Sequence, residues 1–146
     1  MKLRPHHVLD IISSYGNGEE FKPHPYGHAL HSVAQAILSD LKLEIEFVVG
    51  ADEICAPCVH LREGRCDDVL SQLEVPISKQ DYNDGLDSRL CEYFGFAPGA
   101  RMTMREYLEI INGKLSGLER ICSHPKEDVA GRRNSLEKGL KLLLKS

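Results

Sequence analysis

Three of the five cysteines in this 146-residue chain lie within twelve residues, at Cys55, Cys58 and Cys66. Two thiolates separated by two residues can bind one metal ion or cluster, because a tight turn directs both sulfur atoms to the same side. The spacing Cys-x2-Cys-x7-Cys therefore predicts a metal-binding loop. A closed tetrahedral site needs four ligands, and this loop supplies three of them.

The fourth ligand must come from elsewhere in the chain. Cys122 is the natural thiolate candidate, because it stands just before the helix-breaking segment Ser-His-Pro. Cys91 lies in an apolar helical pattern, where a free cysteine behaves as a small hydrophobic residue. His6 and His7 are the nitrogen candidates, with structural histidines near a helix end as the alternative. Adjacent helical residues point about 100° apart, so at most one of the two easily faces a given site. His124 gives a weaker signal.

Two other interpretations of the cysteines stay open. Cys55-Ala56-Pro57-Cys58 has the Cys-x-Pro-Cys form of a thioredoxin-like dithiol, in which the first cysteine is a nucleophile of low pKa. That motif should open a long helix, whereas Gly64 and Cys66 follow soon after it. Five unreactive structural thiols are the other alternative. Disulfides explain an odd number of cysteines poorly.

Length and composition predict one globular domain over residues 1–146, since domains are commonly about 100–150 residues long. The net charge is −4, from 18 basic and 22 acidic residues, which argues against nucleic acid as a partner. No apolar run approaches the roughly 18 residues of a membrane span, and no signal peptide is evident at the N terminus. We therefore expect a cytoplasmic protein without membrane or nucleic-acid partners, and leave open an unknown protein partner.

Apolar residues recur at helical spacing along most of the chain, which predicts a mainly α fold. The expected helices are Pro5 to about Gly16, Tyr26 or Gly27 to about Leu41, about 79–94, about 104–122 with interruptions at Gly113 and Gly117, and about Pro125 to the C terminus. A further short helix is expected around Val69, Leu70 and Leu73. Thr103 and Glu106 have the spacing of a capping box.

The segment Leu43–Val49 alternates apolar and acidic residues at first and then becomes wholly apolar, which predicts a strand. Gly50 should end this strand, and the cysteine loop follows directly. The complete prediction is a compact multi-helix domain with one or two short β-strands that present a cysteine-rich metal loop.

Two segments of the chain resemble the signature segments of the domain of unknown function 1284 family, whose members are small bacterial and archaeal proteins. They are Leu-Arg-Pro-His-His-Val-Leu at residues 3–9 and Val-Val-Gly-Ala-Asp-Glu-Ile-Cys-Ala-Pro-Cys at residues 48–58. Phe-Ala-Pro-Gly at 96–99 and the region of Cys122 are similar to weaker signals of the family. The resemblance implies iron–sulfur binding and picks out six residues: His6, His7, Cys55, Cys58, Cys66 and Cys122.

The chain departs from the family pattern at two positions where members often carry cysteine, since it has Asp10 and Pro125 there. A single site of four cysteines, or of three cysteines and a histidine, is the economical expectation. Its expected occupant is an iron–sulfur cluster or zinc. The cysteine spacing does not decide between them, and it does not match the ferredoxin run.

Three functions follow from these observations. The first is a metal- or cluster-binding protein of unknown wider role. The second is a metal-stabilised interaction module without chemistry of its own, and the third is a Cys-x-Pro-Cys thiol oxidoreductase. No substrate or reaction is indicated, so whether the protein is an enzyme stays open.

Overall fold

The computed structural model describes residues 1–22, 29–50, 52, 54, 61–62, 65–66, 69–70, 77–116, 118 and 129–144. This part of the chain is mainly helical with short strands, which confirms the predicted fold class. Its helices are α1 (Pro5–Gly16), α2 (Leu30–Ser39), α3 (Lys79–Phe94), α4 (Met104–Gly113) and α5 (Val129–Leu144). Its strands are β1 (Lys2–Leu3), β2 (Glu44–Phe47), β3 (Leu61–Arg62), β4 (Arg65–Cys66), β5 (Val69–Leu70), β6 (Ile77–Ser78) and β7 (Arg101–Thr103).

The predicted strand is β2, and it forms the centre of a three-stranded sheet of order β1-β2-β7. β1 pairs with it in parallel, with Lys2 opposite Glu46, and β7 pairs with it antiparallel, with Glu44 opposite Thr103. The parallel pairing places the start of the chain beside the end of β2. The first turn of α1 therefore lies close to Asp52, which follows β2 and precedes the cysteine loop.

The predicted short helix around Val69 and Leu70 is wrong. These residues form β5, which pairs antiparallel with β6. β3 and β4, also of two residues each, form a second antiparallel pair in which Leu61 lies opposite Cys66. Strands of two residues are too short to show an alternating pattern, and a partner elsewhere in the chain determines their pairing.

The ends of two helices follow from local chemistry. Thr103 begins α4 with the predicted capping box, in which its hydroxyl accepts from the Glu106 amide at 3.1 Å and its own amide donates to the Glu106 carboxylate at 3.1 Å. Gly95 ends α3 with φ of +84°, a backbone conformation that favours glycine. The predicted start of α2 at Tyr26 or Gly27, the continuation to Cys122 and the start of the last helix at Pro125 fall outside the described residues.

The core of the described chain joins the helices to the sheet. Ile45 and Phe47, which share one face of β2, are fully buried. The Phe47 ring lies 4.3 Å from that of Tyr107 in α4, measured between centroids. The Tyr107 hydroxyl donates to the carbonyl oxygen of Pro5 at 3.1 Å, which ties α4 to the first turn of α1. Among the described residues, no helix is both long and apolar enough to cross a membrane.

Candidate functional site

The predicted ligands divide into two groups. Cys55, Cys58 and Cys122 lie outside the described residues, as does the weaker candidate His124. Cys66 belongs to β4 and is described by its backbone pairing alone. His6 and His7 lie in the first turn of α1 and are fully described. These two residues and their contacts form the described part of the candidate site.

Asp52 fastens the chain that enters the cysteine loop to the start of α1. Its Oδ2 accepts from the Arg4 amide at 2.7 Å and from Nδ1 of His7 at 2.7 Å. Its Oδ1 accepts from the Ile54 amide at 3.1 Å, and the Ile54 carbonyl oxygen accepts from the Ala29 amide at 2.9 Å. The Asp52 side chain is fully buried, at 0% exposure. The residues just before Cys55 are therefore held to both α1 and the start of α2.

Asp87 in α3 is the second buried carboxylate of the site, and its side chain is also 0% exposed. It accepts from the Arg4 guanidinium at 2.9 Å, from the His6 amide at 2.9 Å and from Nδ1 of His6 at 2.9 Å. Arg4 also forms an ion pair with Asp84 at 2.9 Å. Asp84 and Asp87 can both reach Arg4 because residues three apart share one face of a helix.

The two imidazoles lie side by side, with ring centroids 4.5 Å apart and planes tilted by 53°. Each ring uses Nδ1 to donate to a buried carboxylate, Asp87 for His6 and Asp52 for His7. Nε2 is therefore the ring nitrogen that remains for another contact. The same carboxylate–imidazole arrangement orients histidines that bind metals, and it also orients catalytic histidines.

The charges of the site shift the pKa values of its groups. Burial lowers the pKa of His7, but the hydrogen bond that His7 donates to Asp52 and the nearby charges of Asp52, Asp10 and Asp87 outweigh burial, so the net shift is upward. Burial raises the pKa of Asp87, yet its bonds with His6 and Arg4 hold that pKa below its ordinary value. The surroundings of His7 therefore favour its positively charged form.

These two shifts predict how the stability of the metal-free protein depends on pH. The contribution of Asp87 is present above its ordinary pKa of 3.8 and is lost as the pH falls through the lowered value. The contribution of His7 is present below its ordinary pKa of 6.5 and is lost as the pH rises through the raised value. Urea unfolding across the pH range should show both losses. In His7→Gln the alkaline loss should disappear and the acid loss should remain; an unchanged alkaline loss would contradict the assignment.

Cys91 is a free thiol in α3 with 2% exposure, as expected for a cysteine in an apolar helical pattern. Burial, followed by the charge of Asp87, raises its pKa from 9.0 to about 11. At about pH 8 the thiolate should be roughly 100-fold scarcer than in the unfolded chain. Iodoacetamide should therefore modify Cys91 at least about 100-fold more slowly in the folded protein than in urea. Mass spectrometry of the Cys91 peptide measures both rates, and similar rates would contradict this expectation.

The described residues fit part of a metal site. Among them, no group of three or more His, Cys, Asp and Glu side chains is arranged to hold a metal ion. The two imidazoles offer two nitrogen donors, while the oxygens of Asp52 and Asp87 are engaged in hydrogen bonds. A complete site needs donors from other parts of the chain.

Sequence reasoning missed the residues that position the two histidines. Arg4 and Asp52 stand inside the two segments that resemble the family signatures. Nothing in the sequence indicates that these two residues position the histidines. Asp87 carried no local signal: it lies between Leu86 and Leu90 in a helical pattern and meets His6 across 81 positions of sequence.

Comparison with known proteins gives one match. The family model described as a protein of unknown function (DUF1284) matches residues 24–126, which is more than half of the chain. No curated protein and no solved structure matches. The matched range includes Cys55, Cys58, Cys66 and Cys122, and begins after the two histidines of α1. The chain belongs to the DUF1284 family.

Proposed function

We propose that this protein binds one metal centre, a zinc ion or an iron–sulfur cluster. The ligands are the three cysteines of the Cys-x2-Cys-x7-Cys loop and a further residue among Cys122, His6 and His7. Thiolate and imidazole donors suit zinc and iron–sulfur centres, and they are poor ligands for magnesium or calcium.

The observation that carries this proposal is the contact between Asp52 and His7. A single buried carboxylate binds the Arg4 amide, the imidazole of His7 and the chain that enters the cysteine loop. Asp52 and Cys55 are three residues apart, and three residues of chain span at most about 11 Å. The chain therefore enters the cysteine loop beside the imidazoles, although His7 and Cys55 are distant in sequence.

The bound centre would supply a structural crosslink if it is zinc, or electron transfer if it is an iron–sulfur cluster. The residues of this chain have simpler tasks. The cysteines bind the centre as thiolates, Asp52 holds the loop entry against α1, and Asp87 holds the His6 side of the same turn. The wider role of the protein depends on which centre it binds.

Metal content and a visible absorption spectrum, both measured on protein purified without oxygen, test the proposal. Several irons per chain with broad absorbance near about 400 nm would identify a cluster, and one zinc per chain without colour would identify a zinc site. We expect one of these two results. A chain without metal that forms a reversible Cys55–Cys58 disulfide would overturn the proposal and support the thiol oxidoreductase.

Cysteine variants sharpen the same test. Cys55→Ser and Cys58→Ser should each lose the bound metal, because they remove a ligand from a site that needs four. Cys66→Ser should do the same, whereas a dithiol oxidoreductase would not need this third cysteine. Cys91→Ser is the matched control: this thiol is buried in α3, and the variant should keep its metal. Metal retention in Cys55→Ser would contradict the proposed ligand set.

A further inference from the structure

We propose that Asn112 is a site of spontaneous deamidation in the folded protein, and that Asn17 is protected from the same reaction by its contact with Ser135 of α5. The sequence contains two Asn-Gly pairs, Asn17-Gly18 just after α1 and Asn112-Gly113 at the end of α4. Different contacts surround the two pairs, so their rates should differ. This modification needs no bound metal and stands apart from the proposed function.

Deamidation of an Asn-Gly pair is an intramolecular reaction followed by hydrolysis. The backbone nitrogen of glycine attacks the side-chain carbonyl carbon of asparagine. A new N–C bond closes a five-membered succinimide ring, and the bond from that carbon to the side-chain nitrogen breaks. The proton of the backbone amide passes through water to the leaving group, which departs as ammonia. Water then opens the ring to give aspartate or isoaspartate. Glycine favours ring closure because it has no Cβ atom to hinder the approach.

The surroundings of Asn112 leave its side chain able to reach the geometry of attack. Asn112 is exposed, and in the part of the chain that the structure describes its side chain has no hydrogen-bond partner. Gly113 is the last residue of α4, and a Cβ atom added there would meet no atom within 4 Å. Ring closure requires the backbone to leave the helical conformation, and helices open most readily at their ends.

Asn17 is also exposed, but its side chain is held by a neighbouring helix. Its Oδ1 accepts from the Ser135 hydroxyl at 2.8 Å, so this bond opposes the rotation that ring closure requires. The attacking nitrogen is engaged as well, because the Gly18 amide donates to the Tyr15 carbonyl oxygen at 3.0 Å. One hydrogen bond that must open lowers the population of the reactive geometry by about 2–10-fold. The contact with Ser135 therefore protects Asn17.

The reaction at Asn112 changes a junction between two helices. Lys114 follows Gly113 and is tied to the end of α3. Its carbonyl oxygen accepts from the Tyr93 hydroxyl at 2.9 Å, and its Nζ donates to the Tyr93 carbonyl oxygen at 2.9 Å. Isoaspartate adds a methylene group to the backbone beside this junction. The new carboxylate also adds negative charge at a helix C terminus, where it is unfavourable. Deamidation therefore weakens the contact between α3 and α4.

Peptide mass spectrometry of the full chain, incubated at mildly alkaline pH, tests the proposal. The fraction of each asparagine converted to aspartate or isoaspartate is followed over time, in the folded protein and in urea. We expect Asn112 to react about 2–10-fold faster than Asn17 in the folded protein. The two rates should approach each other in urea, where neither side chain is held. Equal rates in the folded protein, or a faster reaction at Asn17, would overturn the proposal.

Two variants assign the difference to the named contacts. Gly113→Ala should slow the reaction at Asn112, because its methyl group hinders ring closure, and should leave Asn17 unaffected. Ser135→Ala should raise the rate at Asn17 by about 2–10-fold and leave the rate at Asn112 unchanged. Asn112 is the internal control in that variant, because a general loss of stability would accelerate both reactions. An unchanged rate at Asn17 in folded Ser135→Ala would refute the protective contact, and an unchanged rate at Asn112 in Gly113→Ala would refute the succinimide route.

Discussion

Replacing Asp87 with alanine is expected to lower the free energy of unfolding by about 3–5 kcal/mol, because the change removes the buried partner of a buried charge. Asp87 is the fully buried one of the two carboxylates that pair with the Arg4 guanidinium, at 2.9 Å, and the Arg4 side chain is almost completely buried as well. The same carboxylate accepts from the His6 amide and the His6 ring. The Arg4 guanidinium, the His6 amide and the His6 ring therefore all lose the carboxylate that accepts from them. Equilibrium unfolding in urea measures the change.

Asp84→Ala is the matched control for this prediction. Asp84 binds the same guanidinium at the same distance of 2.9 Å, but its side chain is 32% exposed. Water can replace it, so its loss should cost about 1 kcal/mol or less. Equal losses in the two alanine variants would show that the buried pairing of Asp87 is not what stabilises the fold.

A double variant separates the net contribution of the ion pair to the free energy of unfolding from the penalty of leaving one charge buried alone. Removing one partner leaves a buried charge, whereas replacing both partners with apolar residues leaves none. Arg4→Met combined with Asp87→Leu should therefore be less destabilised than the sum of the two single changes, although the bonds to His6 are still lost. Additive losses would mean that Arg4 and Asp87 contribute independently.

The long elements of the fold could be predicted from the sequence because their signals are local. The α1 segment combines Pro5 with apolar residues at helical spacing, and the Thr103–Glu106 capping box requires only four residues. The short strands could not be predicted, because a pair such as Val69–Leu70 acquires its structure from Ile77 and Ser78. The predicted fold class is thus correct. The structure adds two pairs of short antiparallel strands that no periodic pattern in the sequence indicates.

The candidate site likewise contains residues that could be predicted from the sequence and residues that could not. His6 and His7 could be singled out by their residue type and their place in the family resemblance. Their partners could not, because Asp52 and Asp87 are 45 and 81 positions away from them. Asp52 lies in a segment that resembles a family signature, but nothing in the sequence indicates that either carboxylate contacts a histidine. Helix geometry predicts that adjacent histidines face different surroundings, and each ring contacts a different carboxylate, although the ring centroids lie 4.5 Å apart. The cysteine ligands stay a prediction.

Gly139→Ala is expected to destabilise the protein by about 3 kcal/mol, near the upper end for overpacking, because the helix contact at this position has no room for a methyl group. A Cβ atom built on Gly139 in α5 would overlap the carbonyl oxygen and carbon of Ile12 in α1. These are backbone atoms of a packed helix and cannot rotate away. The two helices would have to separate, which would loosen the packing of buried Ile12, Leu136 and Leu140.

Gly113→Ala is the control that separates this steric effect from the general effect of replacing glycine in a helix. A Cβ atom on Gly113, the last residue of α4, meets no atom within 4 Å. Alanine there should be neutral or should stabilise the protein by up to about 1 kcal/mol, since it restricts the unfolded chain. Urea unfolding of both variants gives the comparison. If Gly139→Ala were as stable as Gly113→Ala, then α1 and α5 would not pack as closely as the contact between Gly139 and Ile12 indicates.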